Sequence, residues 1–79
     1  MNPTESYLLT TLATLMNIDR AELSCTTPLD EQGVDSFVGL RLVKKIEKEL
    51  GVALSLKAMY DYPNIRDIAA AIDAGAVRA

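Results

Sequence analysis

Residues 33–51 read GVDSFVGLRLVKKIEKELG, and the fold turns on how this run is parsed. Leu42, Val43, Ile46 and Leu50 recur at the period of a helix with one buried face, so the spacing predicts a helix over 36–50. Gly51 closes it as a C-terminal glycine. Asp35 is the expected N-cap, its carboxylate accepting a hydrogen bond from an early backbone N–H. Ser36 then becomes the first helical residue, with its hydroxyl exposed. Gly33 allows the preceding chain to turn sharply. Arg41, Lys44, Lys45, Glu47, Lys48 and Glu49 fall on the opposite face, where Lys45 and Glu49 form an i, i+4 pair in the weaker orientation. Phe37 and Leu40 lie partly outside the inward stripe; apolar residues there either close the core edge or face a partner.

Working outward, Leu8, Leu12 and Leu15, with Leu9 and Met16 beside them, predict a first helix over about 5–16, with Thr4 as its N-cap after Pro3. Between 17 and 34 the period dissolves around Pro28, Gly33 and a Ser/Thr cluster, which marks a long connection pinned by Ile18, Leu23 and Leu29. A connection of that length is usually functional or held down by buried side chains, and this one delivers the chain to Ser36. Beyond Gly51, a brief helical turn is expected over 57–60. Asn64 then caps a final helix, with Asp67 in its first turn and Ile65, Ile68, Ala69 and Ile72 inward. The chain is expected to fray through 74–79. No repeat or strand pair interrupts this pattern, so the fold class is all-α: three main helices plus a short third one, a four-helix bundle around one core.

Seventy-nine residues make a single domain, 1–79, near the size at which one core becomes thin. Cys25 is alone, which excludes an internal disulfide, and with no histidine a structural zinc module is not expected. A lone loop cysteine reads as a small, partly buried filler. Tyr60 and Tyr62 read as core-edge packing. The net charge of -3 argues against nucleic-acid and anionic-membrane partners, which need excess positive charge. The N-terminus lacks a basic segment and cleavage site, and no apolar run approaches about 20 residues, so a soluble cytoplasmic protein is expected. Ser36 as a catalytic nucleophile would need an adjacent base; the chain has no histidine, and GVDSF lacks the second glycine of a nucleophile elbow.

LDEQGVDS at 29–36, followed by the amphipathic helix, resembles the phosphopantetheine attachment motif of acyl carrier proteins. The likeness extends over nearly the whole chain, through the TPL opening the motif, the ELG ending the helix, and YDYPNIRDIAAAI at 60–72. It implies that Ser36 receives 4'-phosphopantetheine from coenzyme A through a phosphopantetheinyl transferase, with Asp35 as cap and motif acid. The terminal thiol of that arm would hold acyl groups as thioesters. The implied molecule is a monomeric carrier, not an enzyme, that visits an acyltransferase, ketosynthase or other biosynthetic enzymes weakly and briefly. Met1 and the compact length suggest a free-standing protein, although an excised module with an added start would read the same way.

Within these families the YDYPNIRDIAAAI ending resembles polyketide synthase carriers, and Asp35 stands where peptidyl carriers usually have histidine. The DSF triplet, with Phe37, also occurs in D-alanyl carriers and keeps that branch open. Many fatty-acid carriers have an acid five positions after the serine; here that position is Arg41, and residues 41–49 hold four bases and two acids. Phe37, Leu40, Arg41 and Lys44 are the expected partner-binding residues, and their partners should present surfaces less basic than those of fatty-acid synthesis. Leu42 stands where tryptophan marks carriers that accept β-branching, which argues against that role. A cleft between the second and third helices, using Leu42, Ile46 and Met59, could shelter an acyl chain. The alternative from another class is a cofactor-free helical interaction module.

Overall fold

The computed structural model describes residues 2–55 and 57–75. Its helices are α1 (Pro3–Met16), α2 (Ser36–Leu50), α3 (Ala58–Asp61) and α4 (Ile65–Asp73), with short 3₁₀ turns at Arg20–Glu22 and Leu29–Gln32. Among the described residues there is no strand, so the four-helix, all-α architecture is the one expected from the sequence. The final residues expected to fray, 76–79, lie outside the described residues.

The start of α1 differs from expectation. Asn2, not Thr4, is the N-cap, its side-chain oxygen accepting from Glu5 N at 2.7 Å. Pro3 explains the shift: at the first helical position its missing N–H costs nothing and its fixed φ suits the helix. Thr4 therefore sits inside the first turn, where its hydroxyl donates to Asp73 of α4. Asn2 Nδ2 donates to the same carboxylate at 3.2 Å, joining the beginning of α1 to the end of α4.

Three stripes build the core. Leu8 and Leu12 of α1, Leu42 and Ile46 of α2, and Ile65 and Ile68 of α4 are fully buried, each contributing roughly 1.5–3 kcal/mol of apolar transfer. Leu29 and Leu54 close the core from the connecting segments, and Ala58 closes it from α3. Leu50, expected inward, is 40 % exposed because α2 runs past the core edge in its last turn before Gly51. On α4, Ala71 is buried and Ile72 only half-buried, a small roll from the expected stripe.

The long connection is held by polar staples as well as apolar pins. Leu29 is buried, while Ile18 and Leu23 are half-buried. Gln32 Oε1 accepts from Ser24 N at 2.7 Å, and its Nε2 donates to the carbonyls of Ser24 and Thr27, both at 2.9 Å. One glutamine side chain thereby replaces backbone pairing for a segment with no ladder of its own. The same segment is tied to α4: Leu29 N donates to Pro63 O and Arg66 N to Cys25 O, both at 2.9 Å. Cys25 is half-buried against the core, as expected of a filler.

Candidate functional site

The site grows from the junction of the connection with α2. Gly33 takes a left-handed conformation at φ +89, a region in which a side chain is strained. That turn reverses the chain after the Leu29–Gln32 turn and leads through Val34 into the extended Asp35. Asp35 Oδ1 accepts from Val38 N at 2.9 Å, and its carbonyl accepts from Gly39 N at 2.9 Å. The expected N-cap is therefore present, and Ser36 is the first residue of α2 and exposed. Among the described residues, no acceptor within the chain takes the backbone N–H of Ser36 or Phe37. These two open donors lie at the positive end of the α2 dipole.

Ser36 and Asp35 line a groove of about 390 Å³. Val34, Gly39 and Leu29 form its floor on one side, and Met59, Tyr60 and Pro63 face them from α3 and the α3–α4 turn. Gly39 is buried, and its lack of a side chain lets the groove run close to the α2 backbone. The expected cleft is corrected in composition. Met59 lines it, whereas Leu42 and Ile46 are fully buried beneath and reach no groove.

Tyr60 is a second correction. It is 77 % exposed on the groove wall rather than packed at the core edge, whereas Tyr62 is half-buried against the core as expected. The four-residue α3 explains the difference: Ala58 is buried, and Tyr60, two positions on, points to the opposite side of the turn. The Gln32 staples and the groove acid Asp30 had no periodic signal and were missed.

Phe37, Leu40, Arg41 and Lys44 are all exposed, and the helical period puts them on the outer face of α2. The structure does not bring them into the Ser36 groove. Phe37 is 69 % exposed, with the Arg41 guanidinium 5.9 Å from its ring centroid. Leu40, Arg41 and Lys44 instead border a separate groove with Leu15, Lys45 and Lys48. At the far end of α2, Tyr7 OH donates to Glu49 Oε1, and Lys45 Nζ lies 3.7 Å from the same carboxylate. Burial and then the Glu49 bond raise the Tyr7 pKa, while the Tyr7 bond, ahead of the nearby lysines, lowers that of Glu49.

A domain whose described residues form helices and no strand, and which holds one hydroxyl outward at a helix start beside a groove, has the architecture of a carrier domain. The family described as Phosphopantetheine attachment site matches residues 6–72, and the chain belongs to it. The domain is thus a site of 4'-phosphopantetheine attachment. Its residues fit the group: an exposed hydroxyl for the ester, open N–H donors for its phosphate, and a groove beside them.

The highly reducing polyketide synthase NEC1 of Pyricularia oryzae is 42% identical over 65 residues, which cover 82% of this chain and 2% of that protein. Polyketide synthase PksL of Bacillus subtilis is 36% identical over 58 residues, 73% of this chain and 1% of that protein. The chain thus spans only a small fraction of the length of these relatives. Among solved structures, a free-standing peptidyl carrier protein from an uncharacterized secondary metabolic pathway of Acinetobacter baumannii superimposes with a TM-score of 0.87 at 21% identity, covering 91% of this chain and 90% of that one. That likeness shows the fold.

Proposed function

We propose that the chain is an acyl carrier of the polyketide type whose attachment residue is Ser36. The observation that carries this reading is the start of α2, where the Asp35 cap fixes the helix and leaves the Ser36 hydroxyl exposed beside two open N–H donors. Ser36 Oγ supplies the nucleophile. It forms the new P–O bond to the pantetheine-side phosphorus of coenzyme A, the transferase takes the hydroxyl proton, and the adenosine bisphosphate half departs. The open N–H groups and helix dipole favour the resulting phosphodiester anion. When bound, the group supplies a terminal thiol that carries acyl units as thioesters.

Asp30 and Asp35 make the groove mouth acidic, which disfavours the phosphodiester inside it. The neutral amides and acyl part of an arm match its apolar lining of Leu29, Val34 and Met59 better. The chain itself performs no catalysis in this reading. It is a monomeric cytoplasmic shuttle that presents its cargo to a transferase, an acyltransferase, a ketosynthase or related enzymes, and each contact must be brief.

The polyketide assignment rests on the identity with the polyketide synthases of Pyricularia oryzae and Bacillus subtilis, together with Asp35 before the serine. Peptidyl or D-alanyl cargo is the other branch, to which Phe37 and the fold of the Acinetobacter baumannii protein are equally suited. Mass spectrometry of the protein isolated from its producing cells separates them, because cargo travels covalently attached. A carboxylic acyl chain on the arm is expected; an aminoacyl group would overturn the polyketide assignment.

A further inference from the structure

Met16, the last residue of α1, packs on the turn that delivers the chain to Ser36. Its terminal methyl lies 3.6 Å from the point at which a side chain on Gly33 would begin. The methyl thus covers a residue with no side chain of its own. Hydrogen bonds hold that turn lightly: Gly33 N donates to Asp30 O at 3.4 Å and Val34 N to Leu29 O at 3.1 Å. Gly33 is left-handed and Asp35 extended, so any change in the turn is passed along the backbone to the start of α2. Met16 is half-buried against the core and lies outside the lining of the Ser36 groove. Its thioether is packed, yet still open to a reagent as small as a peroxide.

We infer that Met16 is a reversible oxidation site, and that its sulfoxide loosens the Gly33 turn and slows modification of Ser36. The oxidant is a hydroperoxide. The Met16 sulfur forms an S–O bond to one peroxide oxygen as the O–O bond breaks. With hydrogen peroxide, the departing hydroxide takes the proton of the transferred hydroxyl and leaves as water. Sulfur loses the two electrons that the peroxide gains. The product exchanges a soft apolar contact for a polar, chiral group. A sulfoxide oxygen packed dry against the core and the turn is costly, so the lightly held turn yields to let water reach it. Methionine sulfoxide reductases return the thioether, which makes the change a switch rather than a lesion. Met59 is also half-buried but stands on α3, so its oxidation provides an internal comparison. The consequence for modification rests on Ser36 being the attachment residue, whereas the loosening of the turn does not.

The test treats the unmodified full chain, Met16→Leu and Met59→Leu with hydrogen peroxide, then with dithiothreitol, which reverses disulfide and sulfenic acid formation at Cys25 but leaves sulfoxides. Peptide mass mapping locates the added oxygen. Backbone amide NMR follows Gly33 to Ser36, and intact mass follows modification by coenzyme A and a broad-specificity transferase, each protein against itself before treatment. In the native chain and in Met59→Leu those amides should move, and the rate should fall about tenfold, because an opened turn is competent only part of the time. Sulfoxide reductases should restore both. Met16→Leu should show neither change. An undiminished rate or unmoved Gly33–Ser36 amides with Met16 oxidised would overturn the proposal, as would an equal loss in Met16→Leu or a Met16 that resists peroxide while Met59 reacts. If the untreated chain accepts no phosphopantetheine, the attachment reading fails by itself. The Gly33–Ser36 amides then decide the switch alone, movement reversed by the reductases supporting it and stillness overturning it.

Discussion

α2 and α4 begin with the same device and use it for opposite ends. Asp35 accepts from Val38 N at 2.9 Å, and Asn64 Oδ1 accepts from Asp67 N at 2.8 Å, each three residues on. After Asn64 the first helical side chain, Ile65, is fully buried, and the next N–H, that of Arg66, is taken by Cys25 O. After Asp35 the first side chain, Ser36, is exposed, and the next N–H groups are open. One cap locks a helix into the core. The other holds a helix start out of it, leaving a hydroxyl and unused donors together. A cap therefore does not by itself mark a site; the burial of the first helical side chain and the satisfaction of the neighbouring donors make the difference.

The largest effect expected from this contrast lies at the first helical positions. Ile65→Ala should destabilise the fold by about 2–5 kcal/mol, the range for a large-to-small change in a packed core. Ser36→Ala should stay within about 0.5 kcal/mol, as an exposed substitution does. Urea unfolding of both variants measures the gap, and comparable losses would break the comparison. Next come the caps: Asn64→Ala should cost about 1–2 kcal/mol and Asp35→Ala about 1 kcal/mol. The Asn64 loss should be the greater because Asn64 Nδ2 also donates to Thr26 O at 3.3 Å, and equal losses would mean that this staple is idle. Gly33→Ala, which forces a side chain into φ +89, should cost about 1 kcal/mol and slow modification of Ser36, whose approach it shapes.

How much of this contrast could be read from the chain alone depends on which forces are local. Asp35, Ser36, Gly51 and Asn64 were legible because caps and glycine stops act within a few residues. The same locality explains the slip at α1: two cap-competent residues, Asn2 and Thr4, flank Pro3, and only the preference of proline for the first helical position decides between them. Tyr60 was misplaced because a helix of four residues offers too little period for an inward face to stand out. Gln32 was invisible because its three hydrogen bonds join it to residues five and eight positions back in an aperiodic segment. The separate groove on the outer face of α2 is bordered by Leu15 of α1 as well as Leu40, and that pairing across two helices is a tertiary fact with no sequence period.

The smallest effect concerns the end of α2 remote from Ser36. Glu49 has a lowered pKa in the fold, so its contribution to stability is present above the unfolded value of about 4.3 and is lost as pH falls through the folded value. Tyr7 has a raised pKa, so its contribution holds below about 10 and is lost as pH rises through the folded value. Tyr7→Phe should therefore raise the Glu49 pKa in a carboxyl NMR titration, while leaving the amide shifts of Asp35 to Val38 unchanged. Movement of those shifts would show that the two ends of α2 are coupled, which the comparison does not allow.

The central claim is that the start of α2 holds Ser36 for phosphopantetheine, and intact-mass spectrometry after incubation with coenzyme A and a broad-specificity phosphopantetheinyl transferase tests it most directly. The native chain should gain one phosphopantetheine group, and a folded Ser36→Ala variant should gain none. An unmodified native chain under conditions that fully modify a control carrier, or an equal gain by Ser36→Ala, would contradict it.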